Sequence, residues 1–154
     1  MREGLVCWTA IIDLYDRKMI GWSLSNGMNT EETTLAAWKM ATRNRSVQKG
    51  LIFHSDRGVQ YANKKFANTI ESYEVIRSMS RKGNCWDNAV AESFFKSLKT
   101  ELIYGNKLIT KQQMELEIFE YIEIWYNKKR RHSALNYKTI EEFNNQNNIY
   151  KNVA

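Results

Sequence analysis

Apolar residues recur along this chain with two periods, and the changes of period mark out its elements. Residues 5–13 and 18–24 are apolar runs rich in β-formers. The polar stretch Asp13-Leu14-Tyr15-Asp16-Arg17 lies between them, which predicts a β-hairpin. Thr30 is the predicted N-cap of a helix running from Thr33 to about Arg43, marked by Leu35, Ala36, Trp38, Met40 and Ala41. Residues 51–54 read as a short buried strand and residues 75–79 as another. Between them a helix is predicted over 62–73, with Phe66, Ile70 and Tyr73 on one face. A polar loop, 80–86, leads to a helix from Asn88 to about Tyr104 with Asp87 as N-cap. A long helix follows over 111–129, with Met114, Ile118, Tyr121, Ile122 and Trp125 on its apolar stripe. Residues 137–144 predict one more short helix, and 145–154 an Asn-rich, frayed tail. There is no internal repeat and no interdomain linker, so residues 1–144 read as one α/β layered domain of order ββαβαβαα.

Composition narrows the class. At 154 residues, with 43% hydrophobic and 12% aromatic residues, the chain is long and apolar enough for one domain with a proper core. Lys and Arg number 23 against 17 Asp and Glu, a net charge of +6. That balance favours a polyanionic partner, because Lys and Arg displace counterions from phosphates; ordinary solubilising charge is the plainer explanation. Cys7 and Cys85 offer neither a C-x-x-C pair nor metal-ligand spacing with His54 or His132. No apolar run approaches the length of a membrane span, and the first residues lack the apolar stretch of a signal peptide. A reduced, cytoplasmic protein is expected.

Two carboxylates stand out. Asp56 ends the apolar run Leu51-Ile52-Phe53-His54-Ser55-Asp56, and Glu92 sits in the first turns of the predicted 88–104 helix. A carboxylate at a strand end and another on a helix can converge on one divalent cation, and their oxygens suit Mg²⁺. Taken singly, Asp56 is also a reasonable turn residue before Arg57-Gly58, and Glu92 a favourable acid near a helix N-terminus.

The residues around them carry a resemblance. His54-Ser55-Asp56-Arg57-Gly58-Val59-Gln60-Tyr61 resembles the second-aspartate segment of DDE transposases with an integrase catalytic core, in particular those of insertion elements that encode their product in two overlapping frames. Ser78-Met79-Ser80-Arg81-Lys82-Gly83-Asn84-Cys85-Trp86-Asp87-Asn88-Ala89-Val90-Ala91-Glu92-Ser93-Phe94-Phe95 is similar to that family's glutamate segment. Leu98-Lys99-Thr100-Glu101-Leu102 and the stretch from Tyr126-Asn127 to Arg131-His132-Ser133-Ala134-Leu135 continue the likeness, which extends from about Leu5 to Phe143. Cys85 stands where the family commonly has proline, and Ile140 stands in a terminal segment that usually carries one.

The resemblance implies a ribonuclease-H-like integrase core with C-terminal helices. It implies metal-dependent polynucleotidyl transfer with Mg²⁺ or Mn²⁺, and DNA, both transposon ends and target, as partner. Asp56 and Glu92 would be the second and third of three catalytic, metal-binding carboxylates. The first lies, in the family, on a strand preceding the segment that resembles residues 4–22. No Asp precedes Asp13, and Asp13 matches a different family aspartate. The chain is therefore expected to be an N-terminally truncated core lacking its first, central strand. Metal binding is expected to be weakened, catalysis by the chain alone absent, and strand edges left open for self-association or for a full-length transposase. The alternatives are a non-catalytic DNA- or transposase-binding fragment and a decayed pseudogene product.

For DNA contact the candidates are Lys96 and Lys99, at helical spacing from Glu92, with Arg81 and Lys82 of the 80–86 loop, and Lys128, Arg130 and Arg131 of the densest basic run. Each has a plainer explanation: a Glu92–Lys96 surface pair, a solvated connector, and cations at a helix C-terminus. Arg131 and His132 are expected to buttress the fold near the site. His54, two residues before Asp56, either lines the pocket or is a satisfied structural histidine.

Overall fold

The predicted hairpin forms from β1, Cys7–Ile12, and β2, Met19–Ser25, paired antiparallel with a register shift between Ile11 and Ile12. The computed structural model of the protein describes residues 7–55, 59–79, 89–98 and 110–153. The turn closes through Asp13 N–H to the Lys18 carbonyl at 2.9 Å, with Arg17 in the left-handed region at φ 66°.

The two faces of the hairpin carry different cores. Trp8, Ala10, Ile12, Met19, Trp22 and Leu24 pack toward one cluster, whereas Ile11 packs toward another. On the latter side α1, Thr34–Asn44, lies over β2. Gly21 permits this close approach, since a Cβ there would stand 2.3 Å from the Ala37 carbonyl oxygen and 2.9 Å from the Ala41 Cβ. The start of α1 differs from expectation. The helix begins at Thr34, and the preceding turn is held by Asn29, whose side chain accepts from Glu32 N–H at 2.8 Å. Asparagine satisfies such a turn as well as Thr30 would, and it comes first in the chain.

The second half-sheet is β3, Ile52–Ser55, parallel to β4, Ile76–Met79. The helix predicted over 62–73 is observed as α3, Lys64–Ser72, which starts two residues late because Asn63 adopts an extended conformation and caps it by accepting from Lys65 and Phe66 N–H; a short helix that was not predicted, α2, Val59–Ala62, precedes it. Phe66 and Ile70 are buried as predicted; Tyr73 is 40% exposed because it stands at the C-cap rather than within the helix. Phe53 of β3 meets Trp38 of α1 and Phe66 of α3 edge to face, each at 5.6 Å.

Among the described residues, β1–β2 and β3–β4 are two separate two-stranded sheets. Both pack against the cluster of Leu35, Trp38, Phe66, Ile70 and Val75, through Ile11 and Phe53.

The other face of the hairpin is covered by α4, Ala89–Leu98, and by α5, Lys111–Glu120, which continues as a π-helical segment, Tyr121–Lys129. The rest of the predicted 88–104 helix, and its cap, lie outside the described residues. Thr110 and Gln113 form a capping box that starts α5. Met114, Ile118, Tyr121 and Ile122 are buried as predicted, but Trp125 is 44% exposed and Tyr126 is buried in its place. The π-helical turn holds more residues than an α turn and so carries Trp125 off the stripe. After a 3₁₀ turn, Ser133–Leu135, α6 spans Ile140–Val153. The helix thus continues through residues expected to fray. Asn144 donates to the Asp16 carboxylate at 2.9 Å and Asn147 to the Tyr15 hydroxyl at 2.8 Å, fastening α6 to the hairpin turn. Among the described residues no helix is long and apolar enough to cross a membrane.

Candidate active site

The site residues divide between what the described structure contains and what lies outside it. Asp56, Arg81, Lys82 and Lys99 lie outside. Asp56 directly follows β3, whose last residue, Ser55, is buried. One residue earlier, the His54 ring Nδ1 is 3.0 Å from the Ser78 hydroxyl, across the β3–β4 pair. His54 is thus tied to the neighbouring strand, in keeping with the structural alternative for it.

Glu92 sits in the first turn of α4 and is exposed. Phe94 and Leu98 turn the opposite face inward, Phe94 lying 5.2 Å from Trp8 and 4.7 Å from Tyr126, centroid to centroid. This packing fixes the rotation of the helix, leaving Glu92 and Lys96, one turn apart, together on the exposed side. Among the described residues neither enters an ion pair, so the surface-pair explanation for them does not hold.

The basic run approaches this helix. Arg130 reaches the hydroxyl of Ser97, the residue after Lys96, at 3.3 Å, and lies over the Tyr126 ring. Ser97 drew no attention in the sequence; its one signal was its place beside Lys96. Lys128 is exposed. Arg131 instead pairs with Glu142 at 3.1 Å and donates to the Tyr137 carbonyl, tying the 3₁₀ turn to α6.

His132 is buried, with Nε2 3.2 Å from the Tyr126 carbonyl. A carbonyl only accepts, so Nε2 carries the proton in this bond. Burial pushes the imidazole below its ordinary pKa; the Tyr126 carbonyl opposes that, and the Arg130 and Arg17 charges reinforce it. Next to Tyr126, the buried Asn127 side chain accepts from Met19 N–H and donates to the Met19 carbonyl, each at 3.0 Å. It thereby satisfies the backbone of β2 where the register shifts. The segment Tyr126 to Leu135 is thus a brace between the hairpin and the C-terminal helices.

Asp13 is committed elsewhere. Its carboxylate accepts from Tyr15 N–H at 2.9 Å and pairs with Arg45. Arg45 also pairs with the fully buried Asp16 at 2.5 Å. Among the described residues no three His, Cys, Asp or Glu side chains are grouped to hold a metal. As a donor set, Asp56 and Glu92 offer only carboxylate oxygens, which fits Mg²⁺.

Comparison with known proteins places the chain in a family. Two family models, each described as an integrase core domain, match residues 2–85 and 92–147. The transposase for insertion sequence element IS904 of Lactococcus lactis is 40% identical over 146 residues, covering 95% of this chain and 57% of that protein. Transposase InsF for insertion sequence IS3A of Escherichia coli is 41% identical over 145 residues, covering 94% of this chain and 50% of its own length. The chain thus spans about half the length of the curated relatives it matches. Among solved structures, the catalytic core domain of BIV integrase is similar with TM-score 0.62 at 15% identity, covering 94% of this chain and 96% of that one. The HTLV-2 integrase catalytic core domain in complex with magnesium is similar with TM-score 0.57 at 14% identity, covering 88% and 93%.

Proposed function

This chain belongs to the integrase core domain family, related to transposases of insertion elements, and we propose that it forms part of a metal-dependent polynucleotidyl transferase acting in DNA transposition. Asp56 and Glu92 hold Mg²⁺, or Mn²⁺, together with a third carboxylate from the strand that, by the resemblance, precedes the segment 4–22. Such an ion, when bound, stabilises charge on the phosphate undergoing displacement. The chain's own part is to present two carboxylates and to hold the DNA backbone beside them. Lys96 and Lys99, with Arg130 at Ser97 and the 80–86 loop residues Arg81 and Lys82, bind phosphates without reading sequence.

The observation that carries this reading is the outer face of α4. Glu92 and Lys96 stand exposed and, among the described residues, outside any ion pair, on a helix whose other face is locked into the core by Phe94 and Leu98. The test is a chimera joining the N-terminal segment of the Lactococcus lactis transposase to this chain, assayed for Mg²⁺-dependent strand transfer. Asp56→Asn and Glu92→Gln should each abolish transfer with unchanged circular dichroism, since each keeps shape and removes metal-binding charge. Retained transfer in either variant would mean that these carboxylates are wrongly assigned.

A second reading makes the 154-residue chain a non-catalytic binder of DNA or of a full-length transposase. Two observations favour it. Asp13 is engaged by Arg45 and so is a poor substitute for the third carboxylate. The described strands form two half-sheets, and open strand edges pair readily with another chain. Binding to DNA without strand transfer, in the chimera as well as in the chain alone, would select this reading.

A further inference from the structure

Among the described residues, Arg17, Glu74, Asn136 and Tyr137 stand in the left-handed backbone region without being glycine. Two of them use their side chains within the fold. Arg17 donates to the Leu14 carbonyl at 2.7 Å, and Glu74 pairs with Lys49 at 3.5 Å. Asn136 is of a residue type that tolerates this conformation. Tyr137, at φ 61°, has neither justification. It is 69% exposed, and among the described residues its ring meets no other aromatic ring and its hydroxyl makes no hydrogen bond. A bulky side chain at positive φ is costly, and such outliers cluster where they serve a function.

The fold accounts for this backbone conformation but not for the ring. Residues 135–138 form a tight turn closed by Lys138 N–H to the Leu135 carbonyl at 3.3 Å, with both central residues at positive φ. Tyr137 N–H donates to the His132 carbonyl at 2.9 Å, and the Tyr137 carbonyl accepts from Arg131 at 3.1 Å. Glycine makes the same bonds without the strain, and turns of this kind favour it. Nor do the surroundings suit a protein contact. Ser133, Ala134 and Asn136 are exposed and small or polar, whereas the aromatic anchors of such contacts sit within an apolar patch. The setting is basic instead. Lys138 follows the ring, Arg131 holds its carbonyl, and Arg130 reaches Ser97, the residue after Lys96. Glu142 pairs with Arg131, so charge alone gives this turn little hold on a phosphate.

We propose that Tyr137 is a stacking platform for an unpaired DNA base beside the duplex whose backbone the Lys96 face holds. An exposed ring on basic ground offers its π face to any base, and stacking of this kind tolerates sequence. The inference rests on DNA being the partner, as proposed above, but not on Asp56 or Glu92 binding metal. It adds a contact of a second kind. Phosphates held by lysine are released as salt rises, whereas a stacked base displaces no counterions and adds nothing to the salt slope.

Fluorescence anisotropy tests it, with the full chain binding a short duplex that carries a single-stranded deoxyadenosine tail. The comparison is the same duplex with an abasic tail, so that the phosphates are equal in number. The wild type should bind the base-bearing tail at least roughly fivefold more tightly, the lower end of base–aromatic stacking. Tyr137→Phe should keep this preference. Tyr137→Gly should lose it, with an unchanged log–log salt slope and a urea midpoint no lower than that of the wild type. Equal binding of the two tails by the wild type, a preference that survives Tyr137→Gly, or a lowered midpoint in that variant would each overturn the proposal. A wild type that binds neither DNA overturns the proposed function as well, whereas one that binds both alike overturns the stacking site alone.

Discussion

Asn127, Asp16 and His132 do more for this fold than their place in the sequence suggests. Asn127 supplies both hydrogen bonds of the Met19 peptide group. Asn127→Ala should therefore destabilise the chain by about 2–4 kcal/mol, the order expected for two buried backbone groups losing their partners; urea denaturation measures this. His132 titrates below its ordinary value through burial first. A depressed histidine binds its proton less well folded than unfolded, so its contribution is complete above pH about 6.5 and declines as pH falls below that. Asp16 adds a second decline at lower pH. Burial by itself raises its pKa, but bonds from Arg45, Asn144 and Lys18 N–H outweigh this and leave it lowered. Its stabilisation is present above about pH 4 and is lost as pH falls through the folded value. Denaturant midpoints against pH should show both steps, and His132→Gln should remove the upper one alone. A buttressing role for His132 was expected from the resemblance, but the roles of Asn127 and Asp16 were not legible beforehand. A buried asparagine inside a helix and an aspartate in a turn have ordinary local explanations, and their partners lie 108 and 128 residues away in the chain.

At the scale of elements the sequence was largely readable, because long periodic segments declare themselves. The hairpin, α1, the two short strands and the Lys111 helix lie within a few residues of expectation. The misses share a cause: a side chain or turn geometry that period alone does not encode. Asn63 caps α3 and moves its start past Ala62, the π-helical turn exchanges Tyr126 for Trp125, and two asparagine contacts fasten α6 through the expected tail. The face of α4 was legible, since Phe94 and Leu98 inward imply Glu92 and Lys96 outward. It yields a prediction at this scale. Lys96→Ala with Lys99→Ala should weaken binding to a short DNA duplex and reduce the log–log salt slope by about two units, one per phosphate contact. Stability should change by less than about 0.5 kcal/mol. Parallel salt slopes for the variant and the wild type would shift the DNA surface to Arg130 and the 80–86 loop.

Across the whole molecule, the two half-sheets and the family relationship bear on one question. Separate clusters of motifs in order made the family readable from residues alone, and similarity to integrase catalytic cores at 14–15% identity shows how little of the sequence the fold requires. What the sequence could not convey is how the hairpin is held, with Asp13 drawn into Arg45 and, among the described residues, the β3–β4 pair joined to it through Trp38 and Phe53 rather than by strand pairing. The account holds that this chain brings two carboxylates and a phosphate-binding face, and that a third carboxylate arrives from elsewhere. The most direct measurement is Mg²⁺- or Mn²⁺-dependent strand transfer, run in parallel on the 154-residue chain and on the chimera carrying the Lactococcus lactis N-terminal segment. The account predicts no joining by the chain alone and metal-dependent joining by the chimera. Joining by the 154-residue chain, or a folded chimera that binds DNA but never joins it, would contradict the account.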